Sequence, residues 1–257
     1  MKRDKAAMVA GEEAGALSVS TLVRGVDGCK NGWIAVTVSA TGPLRPEVAV
    51  SPSFAACTVG AAVIAVDMPI GLPERAGPGG RGPETLARAR LGERQSSVFS
   101  VPSRAAVASD DYGEACRIAL LTSDPPRKVS KQAFFLFPKI REIDTLLRGS
   151  PELTARIFEV HPELAFWRLN DQRPIAVAKK VKSSPHGPGL ALRREILMRH
   201  GYPEAFLARP PRGAGADDLI DAAVNALIAR RLLAGEAQPF PDPPGRDGHG
   251  LPIAIWA

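Results

Sequence analysis

Residues 22–27, 33–39 and 46–50 alternate or run apolar and β-branched between short Gly/Pro turns, and predict three consecutive antiparallel strands. Residues 62–66, Ala62-Val63-Ile64-Ala65-Val66, are almost wholly apolar and predict a fourth strand covered on both faces. A fifth, short strand is predicted over 156–160. Helical patterns lie at about 84–92, 130–148, from near 162, at 189–200 and at 217–234. Ser130 stands as an N-cap, Pro138 should kink or divide its helix, and Gly235 stops the last one. This order predicts an α/β fold: a mixed sheet of three antiparallel strands and then parallel ones, flanked by helices. The expected organisation is a flexible leader over 1–20, one domain over 21–236 with a helical insert at about 71–150, and a loosely attached Pro-rich tail over 237–257.

Composition narrows the class. A chain of 257 residues can bury a core without metal or disulfide staples. No apolar run approaches the roughly 20 residues of a membrane span, so no membrane partner is expected. Cys29, Cys57 and Cys116 form no CxxC pair, which predicts reduced thiols, a cytoplasmic setting and no structural zinc site. The net charge of +6 permits a polyanionic partner without requiring one. Oligomeric state is not legible.

The chemistry lies in acids that interrupt apolar elements. Asp27 follows Leu22–Val26, Asp67 follows Val63–Val66, and Glu159 sits inside Ile157-Phe158-Glu159-Val160. Asp218 and Asp221 open the last helix three residues apart, with Asn225 continuing that face and Asp217 reading as the N-cap. Leu219, Ile220, Ala223, Leu227 and Ile228 take the opposite side and should pack on the sheet. Buried carboxylates are costly unless paired or bound to metal. If the strands are parallel neighbours, Asp27, Asp67 and Glu159 converge near the strand ends and Asp218 and Asp221 close the ring. An oxygen-rich set with few histidines suits Mg²⁺ or Mn²⁺. Two such ions about 4 Å apart would stabilise both the attacking and the leaving oxygen at phosphorus. In this reading Asp27, Asp67, Asp218 and Asp221 hold metal, and Glu159 is a further ligand or water-positioning base.

This placement of acids resembles the ribonuclease H-like fold, and "DDLIDAAVNALIA" resembles the closing helix of the Holliday-junction resolvases. More specifically, "GVDGCKNGW", "VDMPIGLP", "RARLGERQSSVFSVPSR", "SKQAFFLFPKIREID", "FEVHPELAFWRLN" and "DDLIDAAVNALIARR" resemble, in order over about residues 23–235, the bacterial and archaeal family of predicted ribonuclease H-like nucleases (domain of unknown function 429). The resemblance implies metal-dependent phosphodiester cleavage of an unspecified nucleic acid. The insert is not a standard resolvase feature, so junction cleavage does not carry over.

Arg90, Arg94, Ser96, Ser97 and Arg104 form a polar cluster that either grips phosphates or bonds its own loop. Ser130 and Gln132 open a helix whose N-terminus either holds an anion or is simply capped. Lys179, with Lys180 and Lys182, reads equally as a backbone-binding or a solvated loop, and Lys139 as a solvated face. His161 is a candidate acid or base. Two other functions compete with a nuclease. One is an actin-like phosphotransferase, against which the chain has no second Asp-Gly hairpin and no Walker motif. The other is a non-catalytic nucleic-acid or protein binding module.

Overall fold

The computed structural model describes residues 21–182 and 184–257, so the leader expected over residues 1–20 lies outside the described residues. Five strands form the central sheet: β1 (Leu22–Cys29), β2 (Gly32–Ser39), β3 (Glu47–Ser51), β4 (Val63–Val66) and β5 (Ile157–Glu159). Their order is β3-β2-β1-β4-β5. The first three strands are antiparallel, and β4 and β5 run parallel to β1. The β1–β2 ladder continues to Cys29 opposite Gly32, so the turn residues are Lys30 and Asn31, and Asp27 lies within the strand opposite Ile34.

Between β4 and β5 lie α1 (Pro83–Leu91), α2 (Arg104–Val107), α3 (Tyr112–Leu121), α4 (Lys131–Phe134), α5 (Phe137–Gly149) and α6 (Pro151–Thr154). Pro138 sits in the first turn of α5, where its missing N–H costs nothing, and the expected single helix over 130–148 is divided there. Ala106, Ala115, Phe137, Ile140 and Ile143 pack with Val26, Trp33, Ile64 and Val66. The expected insert is thus the layer that covers one face of the sheet.

After β5 come α7 (Pro162–Leu169), the short ribbon β6 (Lys180–Val181) and β7 (Ser184–Pro185), then α8 (Gly187–Arg199), α9 (Glu204–Leu207) and α10 (Ala216–Leu233). α10 covers the other face and is buried on both sides, by β1, β2 and β4 and by α7, α8 and α9. It lies directly on β1 at Gly25. A Cβ there would meet Ala222 O at 2.2 Å and Ala226 N at 2.1 Å. The row that includes Ala222, Asn225 and Ala226 therefore lies against β1, whereas the sequence pattern assigns the opposite row to the sheet. Nearly every α10 position is apolar or buried, so periodicity cannot choose between its faces.

The tail is not loose. β8 (Pro239–Arg246) and β9 (Pro252–Trp256) form a hairpin, Trp256 bridges to Val160 beside β5, and Leu251, Ala254, Ile255 and Ala257 are buried. Prolines that read as a loop are tolerated in a two-stranded edge ribbon, where half of the N–H groups have no partner to lose. Among the described residues no helix is long and apolar enough to cross a membrane.

Gly25→Ala should destabilise the protein by about 3 kcal/mol or more, because the obstructing atoms are backbone and cannot rotate away. Urea denaturation followed by circular dichroism measures it, and an unchanged midpoint would show that α10 is not seated on this glycine.

Candidate metal centre

Strand register builds the site. Val26 pairs with Val66 across the parallel strands, and the Asp67 N–H donates to the Val26 carbonyl at 3.0 Å. The next residue on each strand faces the opposite side of the sheet from these valines, so Asp27 and Asp67 leave together toward α10. Asn225 fixes the helix above them by donating from Nδ2 to the same Val26 carbonyl at 3.0 Å. Asp221, one turn earlier, then joins the pair. One oxygen from each of Asp27, Asp67 and Asp221 falls within a set whose members all lie within 4.8 Å of one another. Asp27 is 8 % exposed and Asp221 3 %.

Burial first, and then neighbouring carboxylates, raises these three acids. Asp27 is pushed well above the usual range by burial and by Asp67 and Asp221. Asp67 is pushed to about 8 by burial and Asp221, with Lys179 opposing. Asp221 is pushed to about 6 by burial, again against Lys179. The Lys179 Nζ is ion-paired with Asp221 Oδ2. Burial pulls its ammonium down, but Asp221, Glu163 and Asp27 together raise it above its ordinary value. The lysine is therefore a built-in counter-ion. The segment that carries it is pressed onto the start of α8: a Cβ on Gly189 would meet Ala178 O at 1.9 Å, and Arg193 donates to the Val177 carbonyl at 2.9 Å. Arg193 also pairs with the buried Glu163.

Three carboxylates from two strands and a helix, with Asp221 Oδ1 buried and lacking any hydrogen-bond partner, fit a small oxygen-seeking cation. They open into a cleft of about 580 Å³. Asp217, Asp218 and Glu163 add acid to its lining, while Arg94, Lys139 and Lys180 add positive charge.

The other expected site residues divide. Arg94, Ser96, Ser97, Gln132 and Lys179 line the cleft. Ser130 does not; it caps α4, accepting from the Ala133 N–H at 3.2 Å. Arg90 is turned away, its guanidinium 4.3 Å from the ring centre of Phe240. Arg104 is used up by ion pairs to Asp144 and Asp247, which tie the tail to α5. The N-cap of α10 is Gly215 rather than Asp217; Asp218, in the first turn, accepts from the Gly215 N–H at 2.8 Å, and Asp217 pairs with Lys180.

Glu159 is the main correction. It pairs in register with Val66 rather than Asp67, so alternation sends it to the opposite face. There Arg81 grips both of its oxygens, the Ile70 N–H donates to it at 2.7 Å, and Glu84 completes the buried network. Burial still raises Glu159 to about 7, against the pull of Arg81. Its tie to Arg81 is structural, not a free ligand position.

Lys139, expected on a solvated face, instead lines the cleft, where its Nζ donates to the Gly32 carbonyl and lies 4.6 Å from the Trp33 ring centre. Sequence reasoning missed the Glu163–Arg193 pair, which no local spacing announces because 30 residues separate the partners. His161 does face the cleft, but burial lowers it to about 4, and its Nε2 is 3.4 Å from the Ser97 carbonyl.

A family model for proteins of unknown function (DUF429) matches residues 25–246, which takes in every residue of the centre. The chain belongs to this family. The match runs from within β1 to the end of β8. No curated protein and no solved structure matches the chain.

The sign of the pH dependence follows from Asp67. Its carboxyl keeps a proton in the folded state up to about 8, whereas the unfolded chain releases it near 3.8, so stability falls as pH rises through that window. In EDTA, the urea midpoint of the wild type should fall between pH 5 and 8 relative to that of Asp67→Asn. The opposite effect of His161, from 6.5 down to about 4, is common to both proteins and cancels. Parallel curves would show Asp67 ionised throughout.

Proposed function

We propose that this protein hydrolyses phosphodiester bonds in nucleic acid with a divalent cation, Mg²⁺ or Mn²⁺, held by Asp27, Asp67 and Asp221. The observation that carries the reading is the convergence of these three carboxylates within 4.8 Å, with one buried Asp221 oxygen unpartnered. The strand order, with an antiparallel hairpin followed by parallel strands and acids at the ends of β1 and β4, is in keeping with a ribonuclease H-like nuclease.

Once a cation displaces the protons, three carboxylates against the Lys179 ammonium would carry two negative charges, the charge that one divalent cation matches. A second ion would have to draw on Asp217 and Asp218, whose carboxylates are engaged with Lys180 and the Gly215 N–H. When bound, the cation supplies Lewis acidity toward the phosphoryl oxygens and makes water more acidic. The chain supplies the rest. Arg94, Lys139 and Lys180 line the approach and would hold phosphate oxygens, with Ser96, Ser97 and Gln132 as neutral partners. Lys179 holds Asp221 in place and limits repulsion among the acids before a cation arrives. His161 stays neutral near pH 7 and serves as a hydrogen-bonding wall rather than a proton donor.

The deciding experiment is cleavage of a labelled panel of single- and double-stranded DNA and RNA, an RNA–DNA hybrid and a four-way junction, in Mg²⁺ and in Mn²⁺. Asp27→Asn, Asp67→Asn and Asp221→Asn should each lower the rate about a hundredfold or more. Glu159→Gln should act through stability and leave the metal requirement intact. Cleavage that survives all three Asp substitutions would overturn the assignment, and tight binding without cleavage would favour a binding module of the same fold.

Lys179→Met removes the resident positive charge. Mn²⁺ should bind this variant more tightly than wild type in calorimetric titrations. Weaker Mn²⁺ binding would show that Lys179 organises the site for metal rather than competing with it.

A further inference from the structure

A second cavity, of about 590 Å³, adjoins the carboxylate cleft and shares Ser96, Phe99 and Gln132 with it. Its volume suits a single small ligand. The two linings differ in charge. The cleft is floored by acids, whereas the second cavity presents Arg88, Arg127 and Lys128, and among the described residues no Asp or Glu lines it.

Arg88 is held ready. Its Nε donates to the Val98 carbonyl at 3.0 Å, Nη1 to the Gly79 carbonyl at 2.8 Å and Nη2 to Ser100 Oγ at 3.0 Å. These bonds use three of the five guanidinium donors, which fixes the orientation and leaves two donors over. The facing loop is anchored as well, by the Arg127 N–H donating to Ser123 Oγ at 2.8 Å. Burial lowers the Arg88 pKa, Glu84 partly offsets it, and Arg127 is close enough to push in the same direction as burial. Glu84 outweighs Arg127 at Arg88, but it lies behind the cavity wall, where its two oxygens accept from the Arg81 N–H and Nε at 2.8 and 2.7 Å. Inside the cavity itself the three cations face no carboxylate among the described residues, and an anion entering it would be attracted by all of them. The rest of the wall is apolar, with Phe99, Val101 and Val129 prominent. A bare inorganic anion would leave that surface unused. A phosphate joined to a flat base would cover it.

We infer that this cavity binds one unpaired nucleotide of the strand being cut, its phosphate against Arg88, Arg127 and Lys128 and its base against Phe99 and Val129. A base stacked and paired inside a duplex cannot enter such a pocket without leaving the stack, so the site selects for single strands, ends or flaps. The role of the pocket in cleavage rests on the phosphodiesterase reading above. Its affinity for a nucleotide does not, and is measurable with the metal centre empty.

The test is calorimetric titration of the full chain with deoxyadenosine 5′-monophosphate and, separately, inorganic phosphate, both in EDTA. The nucleotide should bind more tightly than phosphate. The double variant Arg127→Glu/Lys128→Glu, at two exposed positions, should weaken nucleotide binding about tenfold, on the order of 1.4 kcal/mol. Phe99→Ala should bring the nucleotide toward the affinity of phosphate, as expected when a stacking surface is lost. Asp27→Asn should leave both unchanged. The inference is overturned if the nucleotide does not bind, if the double variant binds it as well as wild type, or if Asp27→Asn abolishes binding, which would place the nucleotide in the cleft. Should the panel show no cleavage while these titrations behave as expected, only the phosphodiesterase reading falls. Equal cleavage of single strands and blunt duplexes by the wild type would overturn the selection for unpaired nucleotides.

Discussion

The contact between α10 and β1 at Gly25 is the constraint on which the rest of the centre depends. Helix backbone and strand backbone approach so closely there that no side chain fits between them. Asn225 then spends its amide on the Val26 carbonyl, at the point where β1 and β4 are about to release Asp27 and Asp67. A helix held at one glycine and one carbonyl has little freedom to slide or roll. Its earlier turn delivers Asp221 to the strand ends as a consequence of packing, not of any attraction between acids, which repel each other.

That repulsion has to be balanced, and the balance is drawn from elements remote in the chain. Burial and neighbouring carboxylates raise Asp27, Asp67 and Asp221, and a set of this kind without a cation beside it would favour protonation over ionisation. Lys179 offsets it. The lysine is kept in position by the contact of its own segment with Gly189, by Arg193 at the Val177 carbonyl and by the Glu163–Arg193 pair. Removing one member of a buried pair of this kind typically costs about 3–5 kcal/mol, because the other is left charged and unsolvated. Even with Lys179 in place Asp27 and Asp67 stay raised, so a divalent ion held here would displace protons as it bound.

The opposite face of the sheet carries a second buried network with a different purpose. Arg81 joins Glu84 and Glu159 and also donates to the carbonyls of Ile70 and Gly71, so one guanidinium fastens the loop after β4 to α1 and β5. Arg104 does similar work between α5 and the tail through Asp144 and Asp247. These two arginines hold the covering layer and the C-terminal hairpin onto the sheet. The second cavity lies within that same layer, between α1 and the loop before α4, and inherits its rigidity from these ties.

The amino-acid pattern alone located the five sheet strands and most of the longer helices, but not the C-terminal hairpin or α2, α3 and α6 of the covering layer. Alternating or continuous apolar, β-branched runs located the five sheet strands, Pro138 located the break between α4 and α5, Gly235 located the end of α10, and the runs of apolar residues ended by Asp27 and Asp67 marked both as residues with a special reason to be there. Each of these signals is local, carried by residues within a few positions of one another. What the tertiary structure decided was relative placement. Whether Glu159 meets Asp67 or Val66 depends on a one-residue difference in the β4–β5 register, and a single step reverses the face. Which side of α10 meets β1 depends on Gly25, whose partner lies some two hundred positions away. The pairing of Lys179 with Asp221, of Arg104 with Asp247 and of Arg90 with Phe240 likewise has no local signature, because charge and aromaticity attract whatever the fold brings near. Residue type therefore singled out the candidate groups, and only packing said which of them share a site.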